Sequence, residues 1–210
     1  MRKALPFFLL LLTVSLSAFS QAFEGKVTYA MSYKSKMPAI SDDQFAAMMG
    51  DTQEYFIKGG SYKSVLNGTL LQWQLYPSQD SALYNKMSTT EAVYWLDARS
   101  SNDQVLKAEL HKGVTEILGY QCDELVLTCT SGIQRYYFTS KLPVDHALFA
   151  RHKYGNWFAY LEKARAIPLK IVVENAQLVS ESVAIEVKPM KLEKSLFQLT
   201  TGSRLEKMPF

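Results

Sequence analysis

The chain has 210 residues, with 23 Lys and Arg against 20 Asp and Glu, and no run of four basic residues. Setting aside Arg2 and Lys3, which open an apolar leader, leaves 21 basic against 20 acidic residues. That balance argues against nucleic acid or an anionic membrane as a partner. No glycine-rich phosphate loop, G-x-S-x-G or HExxH is present, so no catalytic residue, cofactor or metal is assigned and the chain is expected not to be an enzyme.

Arg2 and Lys3 precede an apolar run, residues 4–16, and then small residues at Ala18 and Ser20. This reads as a signal peptide over residues 1–20, since a spanning helix needs about 20 apolar residues. No cysteine stands at the end of the run to carry a lipid. The expectation is a periplasmic or secreted protein with no membrane span after cleavage. Residues 21–210 then form one domain, long enough for a single core.

Val27, Tyr29, Met31 and Tyr33 alternate with smaller residues, the period of a strand with one buried face. Ser41-Asp42-Asp43-Gln44 is a capping box, and Phe45, Ala46, Met48 and Met49 give a short helix an apolar stripe that Gly50 ends. Strands follow over 55–58 and 62–66 around Gly59-Gly60. Asn67-Gly68 predicts a hairpin turn, because both positions tolerate positive φ. Residues 69–77 alternate Leu71, Trp73 and Leu75 against Leu70, Gln72 and Gln74. Further strands are predicted over 81–87, 91–97 and 105–110, with a polar turn over 98–104.

Residues 113–129 read as one long apolar stretch holding the only two cysteines. In an extended run Cys122 and Cys129 stand roughly 23 Å apart, beyond the ~7 Å limit for a bridge. A disulfide would need the strand to break at Asp123-Glu124. The apolar parity flips there, which predicts a bulge. Their spacing is not that of a zinc site, and a loop site from Asp145, His146 and His152 lacks a second cluster. Neither cysteine has the electropositive setting of a nucleophile, so two buried thiols acting as small hydrophobes is the favoured reading.

Thr130-Ser131-Gly132 turns the chain into a strand over 133–140. Asn156 is predicted to cap a helix carrying Trp157, Phe158, Tyr160, Leu161 and Ala164. Ile167 to Val173 alternate in a strand, Glu174-Asn175-Ala176 turns, and Val179, Val183, Ile185 and Val187 share one face of a last strand. Tight turns between successive strands predict an antiparallel meander.

The run Ile117-Leu118-Gly119-Tyr120-Gln121-Cys122 is followed by Tyr136-Tyr137-Phe138-Thr139, Leu142-Pro143, Ala166-Ile167-Pro168-Leu169-Lys170-Ile171 and Ser195-Leu196-Phe197. Together they resemble exported bacterial proteins of the LolA-like lipoprotein-carrier superfamily, of the type common in Bacteroidetes. The resemblance implies an α+β, mainly β fold: a strongly curved antiparallel sheet, a half-barrel, wrapped around short helices. It also implies a hollow that takes up lipid acyl chains, with no individual ligand-binding residue carried over.

The aromatic content, 12 Tyr, 11 Phe and 3 Trp, bears on that hollow because several strands are apolar on both faces. A sheet with one wet face does not need this. Either helices cover one face and a ligand the other, or the sheet nearly closes on itself. Tyr29, Met31, Met48, Trp73, Trp95 and Tyr137 are the predicted cavity lining, with ordinary core packing as the alternative. The expected function is non-covalent binding of a lipid or other hydrophobic molecule by a soluble envelope protein, as carrier or chaperone. The alternative is an envelope protein that docks another protein through its sheet edge or loops.

Overall fold

The computed structural model describes residues 22–209; the expected signal peptide lies outside the described residues. Six strands, β1 (Gly25–Ser35), β2 (Thr52–Lys58), β3 (Ser61–Leu66), β4 (Leu71–Tyr76), β5 (Ala82–Met87) and β6 (Val93–Asp97), form one antiparallel meander. Five more, β7 (Val105–Ile117), β8 (Tyr120–Cys129), β9 (Gly132–Pro143), β10 (Ala166–Asn175) and β11 (Leu178–Pro189), form a second. They join where β1 pairs with β11, Gly25 opposite Pro189. A short β12 (Leu205–Lys207) runs parallel to β6 and completes one curved open sheet of twelve strands. The mainly β class and the curved sheet therefore hold. β12 was not foreseen, being three residues long in a polar tail. Among the described residues no helix is long and apolar enough to cross a membrane.

The first helix, α1 (Asp42–Met49), has both halves of its capping box: Gln44 N–H donates to Ser41 Oγ, and Ser41 N–H donates to Gln44 Oε1. None of its residues is buried. Phe45 stacks on Tyr33, 6.3 Å between centroids, over the outer end of β1. Thr69 and Leu70 N–H groups donate to the Ala47 and Met48 carbonyls, tying α1 to the β3–β4 loop. The expected hairpin does join β3 to β4 through Asn67-Gly68, by other means than positive φ. Neither residue has positive φ. Asn67 Oδ1 accepts from the Asp51 and Thr52 N–H groups, and Gly68 is needed because a Cβ would run into the Met48 carbonyl.

The second helix, α2 (Trp157–Ala164), lies in the hollow of the sheet. Tyr160, Leu161 and Ala164 are buried against Leu125, Leu127, Tyr136, Phe138, Ala166 and Leu169 in the main core. The Tyr160 ring stacks on Tyr136 at 4.1 Å, and its hydroxyl donates to the Ala166 carbonyl. Asn156 does not cap this helix through its side chain. It takes a left-handed conformation and donates instead to Asp103 Oδ2 and to Cys129 Sγ.

The apolar run around the cysteines is not one strand. Leu118 (φ 51°) and Gly119 (φ 76°) make a tight turn between β7 and β8, and both cysteines lie in β8. Both are free and buried, as the sequence suggested. The parity flip is real, but the irregularity sits in the partner strand, between His111 and Thr115, where Gly113 has φ 62°. Asp123 stabilises it by accepting from Gly113 N–H and Lys112 Nζ. A second irregularity falls opposite Thr28 and Tyr29, beside the exposed Ile185. Val187 therefore faces the core opposite Val27, and the predicted single face of β11 is divided in two.

Strands apolar on both faces have a simple explanation here. The inner row Ile57, Tyr62, Tyr76 and Leu83 belongs to the core under α2. The outer residues Leu75, Tyr84 and Val93 pack with Leu192 and Phe197 of the C-terminal segment, and Trp73 and Trp95 flank them. Helix covers one face, and the chain's own tail covers the other. Glu24 fixes the start of that tail by accepting from Leu192 N–H and Lys58 Nζ.

Candidate functional site

Beside α2 the hollow is incompletely filled. A cavity of about 170 Å³ lies between β1–β4, β10 and the first turn of α2, lined by Tyr29, Gln53, Tyr55, Tyr62, Ser64, Gln74, Trp157, Pro168 and Ile171. Its walls are aromatic: Tyr55 stacks on Tyr62 at 5.1 Å, and Trp157 meets both edge-on. Gln53, Gln74 and Ile171 are only half-buried, which marks their side as the mouth.

The floor is polar. Tyr55, Ser64, Gln74 and Asn85 stand opposite one another on β2 to β5, as the antiparallel register dictates. Gln53 Nε2 donates to Ser64 Oγ at 2.6 Å, and Gln74 Nε2 donates to Asn85 Oδ1 at 2.8 Å. Tyr29 donates to the Pro168 carbonyl at 2.7 Å, and Tyr62 Oη lies 2.7 Å from His152 Nε2. Against this satisfied background, Tyr55 Oη, Trp157 Nε1 and Asn85 Nδ2 are buried with no hydrogen-bond partner among the described residues. His152 Nδ1 is a fourth such atom, and of the four only those of Tyr55 and Trp157 belong to residues that line the cavity.

Burial raises the Tyr29, Tyr55 and Tyr62 phenols well above their ordinary range, so all three stay neutral. Burial also lowers His152 to about 4. No charged side chain lines the cavity among the described residues. The arrangement offers neutral hydrogen bonding between aromatic walls.

Of the predicted lining residues, Tyr29 alone reaches this cavity. Trp73 and Trp95 lie on the outer face beneath the C-terminal segment, with Lys63 Nζ 5.5 Å from the Trp73 ring. Tyr137 also points outward; its hydroxyl donates to Glu124 Oε1, and Lys170 Nζ sits 5.7 Å from its ring. Met31 and Met48 are half-buried outside the cavity lining, Met31 near the Tyr33 hydroxyl. The reason is parity: two apolar faces give no sign of which one is inside. Tyr55, Tyr62 and Trp157 were missed. The clue available was the buried polar row, because Gln and Asn recurring on neighbouring strands mark one common face.

The remaining candidates are structural. Burial raises both thiols, and Cys129 reaches about 11 with Asp103 adding to the effect. Asp145 accepts from Ala147 N–H in a 3₁₀ turn, while His152 is buried against Tyr62. Among the described residues no group of His, Cys, Asp and Glu is placed to hold a metal ion. Asp103, inside the predicted polar turn, accepts from Ser131 N–H, Ser131 Oγ, Thr130 Oγ1 and Asn156 Nδ2. Burial pulls its carboxyl upward, and those bonds more than offset this, so it sits below its usual range.

A larger hollow of about 590 Å³ lies among Gly59-Gly60, Pro77–Asp80, Leu148 and Phe197–Leu199. Its size suits a ligand better. However, Lys58 is already paired with Glu24 and Asp80 with Tyr84. The inner cavity is walled by aromatic rings beside α2, and we take it as the site. No family model matches the sequence, and no curated protein matches it.

Proposed function

We propose that this chain is a soluble cell-envelope protein that binds a hydrophobic molecule non-covalently in the hollow of its sheet, as a carrier or chaperone. The observation that carries the reading is the aromatic cavity between Tyr29, Tyr55, Tyr62 and Trp157, left open beside a helix that fills the rest of the hollow. A curved open sheet holding a helix is also what the LolA-like resemblance implies. At about 170 Å³ the cavity is smaller than the ~300–1,000 Å³ of drug-sized sites. A whole acyl chain therefore enters only if α2 moves. Left-handed residues at both its ends, Asn156 and Arg165, are the positions where the chain would turn. Solvent extraction of the purified protein, followed by mass spectrometry of the organic phase, tests this. A stoichiometric hydrophobic molecule is expected, and a clean extract refutes the reading.

A second reading is favoured by β7, a 13-residue strand at the open edge of the sheet that exposes Leu106, Leu110 and Val114. Unpaired edges of this kind recruit strands from other chains. On this reading the protein docks a partner and carries no small molecule. Leu110→Lys would then release a co-purifying partner, whereas an unchanged complex would count against docking at β7.

A further inference from the structure

We propose that β7 pairs antiparallel with β7 of a second copy of this chain, joining the two sheets about a twofold axis at Ala108. This rests on the second reading above, that β7 is a docking edge, and it names the occupant. Three observations carry it.

The first is the contrast between the two edges of the sheet. At one edge β12 is three residues long, the short kind of strand that guards natural sheets against further pairing. At the other, β7 is 13 residues long, and among the described residues only β8 lies beside it. Register shifts interrupt β7 between Val105 and Lys107 and between His111 and Thr115, so residues 107–111 are its regular part. A regular edge segment turns a row of N–H and C=O groups outward, ready to accept another strand.

The second is apolar surface. Ala108 and Leu110 stand opposite Leu127 and Leu125, which belong to the core under α2. Both are nevertheless exposed, Leu110 at 47%, and the neighbouring Leu106 is 65% exposed. The apolar lining of the hollow thus runs on to β7, beyond the part that α2 closes.

The third is charge, which selects both occupant and register. When a strand pairs antiparallel with its own copy about an axis perpendicular to the sheet, one residue must face itself, because opposed side chains share a face. Any of the five residues 107–111 could hold that place. Lys107 there would set Lys on Lys, and Glu109 would set Glu on Glu, like charges that repel across a strand pair. Leu110 or His111 there would draw Gly113 into the ladder, opposite Lys107 or Glu109. Gly113 has φ 62° and already donates its N–H to Asp123 Oδ1. Ala108 alone gives a clean register. Lys107 then meets Glu109 of the second copy, Leu106 meets Leu110, and the symmetry makes each contact twice. Within one chain Lys107 Nζ and Glu109 Oε1 lie 2.8 Å apart, with side chains 64% and 41% exposed, so both charges are free to turn to a neighbour across the axis. A foreign strand would have to bring the same alternation of charged and apolar residues; this chain carries it.

Sedimentation velocity of the purified chain over about 1 µM to 1 mM tests the pairing, the range in which a small interface dissociates. A dimer is expected at the upper end. Lys107→Glu and Glu109→Lys each set like charges opposite one another twice, and each should weaken the dimer at least about tenfold. Mixed in equal amounts, the two variants should pair with each other within about threefold of the original strength, because every 107–109 contact is again Lys with Glu. Ala108→Cys should form a disulfide-linked dimer under mild oxidation, since facing residues stand about 4.5–5.5 Å apart at Cα. Glu116→Cys, far from the axis, should not, and Cys122 and Cys129 are buried and do not compete. A chain that stays monomeric throughout overturns the inference. So do a dimer that either charge variant leaves intact, a mixture that stays monomeric, and an Ala108→Cys chain that fails to crosslink. If the chain is monomeric while Leu110→Lys still releases a co-purifying partner, only this inference falls. If Leu110→Lys leaves every assembly intact, docking at β7 falls with it.

Discussion

The two halves of the hollow are built from the same kind of strand and end in opposite conditions. Over β8–β10, α2 drives Tyr160, Leu161 and Ala164 into Leu125, Leu127, Tyr136 and Phe138, and the contact is apolar and closed. Over β2–β5 the floor is Tyr55, Ser64, Gln74 and Asn85, and hydrogen-bonding capacity is left over. One half holds the fold together by apolar burial. The other leaves buried donors unpaired and gives up some of that stability. The contrast depends on a single helix, whose first residue, Trp157, faces the open half and whose later turns fill the closed one.

The sharpest way to break the contrast is Leu161→Ala. It opens a void in the closed half and should cost about 3–5 kcal/mol in urea unfolding. A cost under about 1 kcal/mol would mean that α2 is loosely seated and the halves are alike. Next is pH. His152, 2% exposed among aromatics, is lowered to about 4 by burial. Its unfolded value is near 6.5, so between those limits the unfolded chain binds more protons. Stability should be full above pH 6.5 and fall by about 3 kcal/mol as pH drops towards 4, with no further loss from this group below. Denaturation at several pH values, against His152→Gln, should show that component vanish in the variant.

A smaller effect is expected from Asp103→Ala, which strands the donors of Thr130, Ser131 and Asn156 at the entry to α2. A loss of about 2 kcal/mol is expected from unfolding curves. The smallest belongs to the open half. Tyr55→Phe should stabilise the unliganded chain by up to about 1 kcal/mol, because the deleted hydroxyl is unpaired. A measured loss would show that the hydroxyl has a partner and that the open half is as complete as the closed one.

Much of this was legible from residue order. Period-two alternation located β1 to β6 and β9 to β11 closely, and the capping box at Ser41 marked α1 with its stop at Gly50. The hairpin at Leu118-Gly119 was hidden because one of its residues is a large aliphatic and it lies inside an apolar run. Val187 was misplaced because a one-residue irregularity reverses every face after it. The site was hardest to read. Gln74 and Asn85 look like solvent-facing positions, and Trp73 and Trp95 like core. The fold reverses both by laying residues 190–208 over the outer face, and nothing in the alternation announces a tail that returns across the sheet. Asp103 was invisible for a related reason: its partners at Thr130, Ser131 and Asn156 are distant in sequence.

The seam between β1 and β11 sets the timing of assembly. The first strand lies at the middle of the sheet, and one of its two neighbours is the last long strand to be synthesised. Each meander can form from neighbours in sequence, but the two cannot be stitched together until almost the whole polypeptide has left the ribosome. Contacts so far apart in sequence make for slow folding. A chain truncated before residue 178 would have two ribbons, each with a bare inner rim, and no strand pairing to join them.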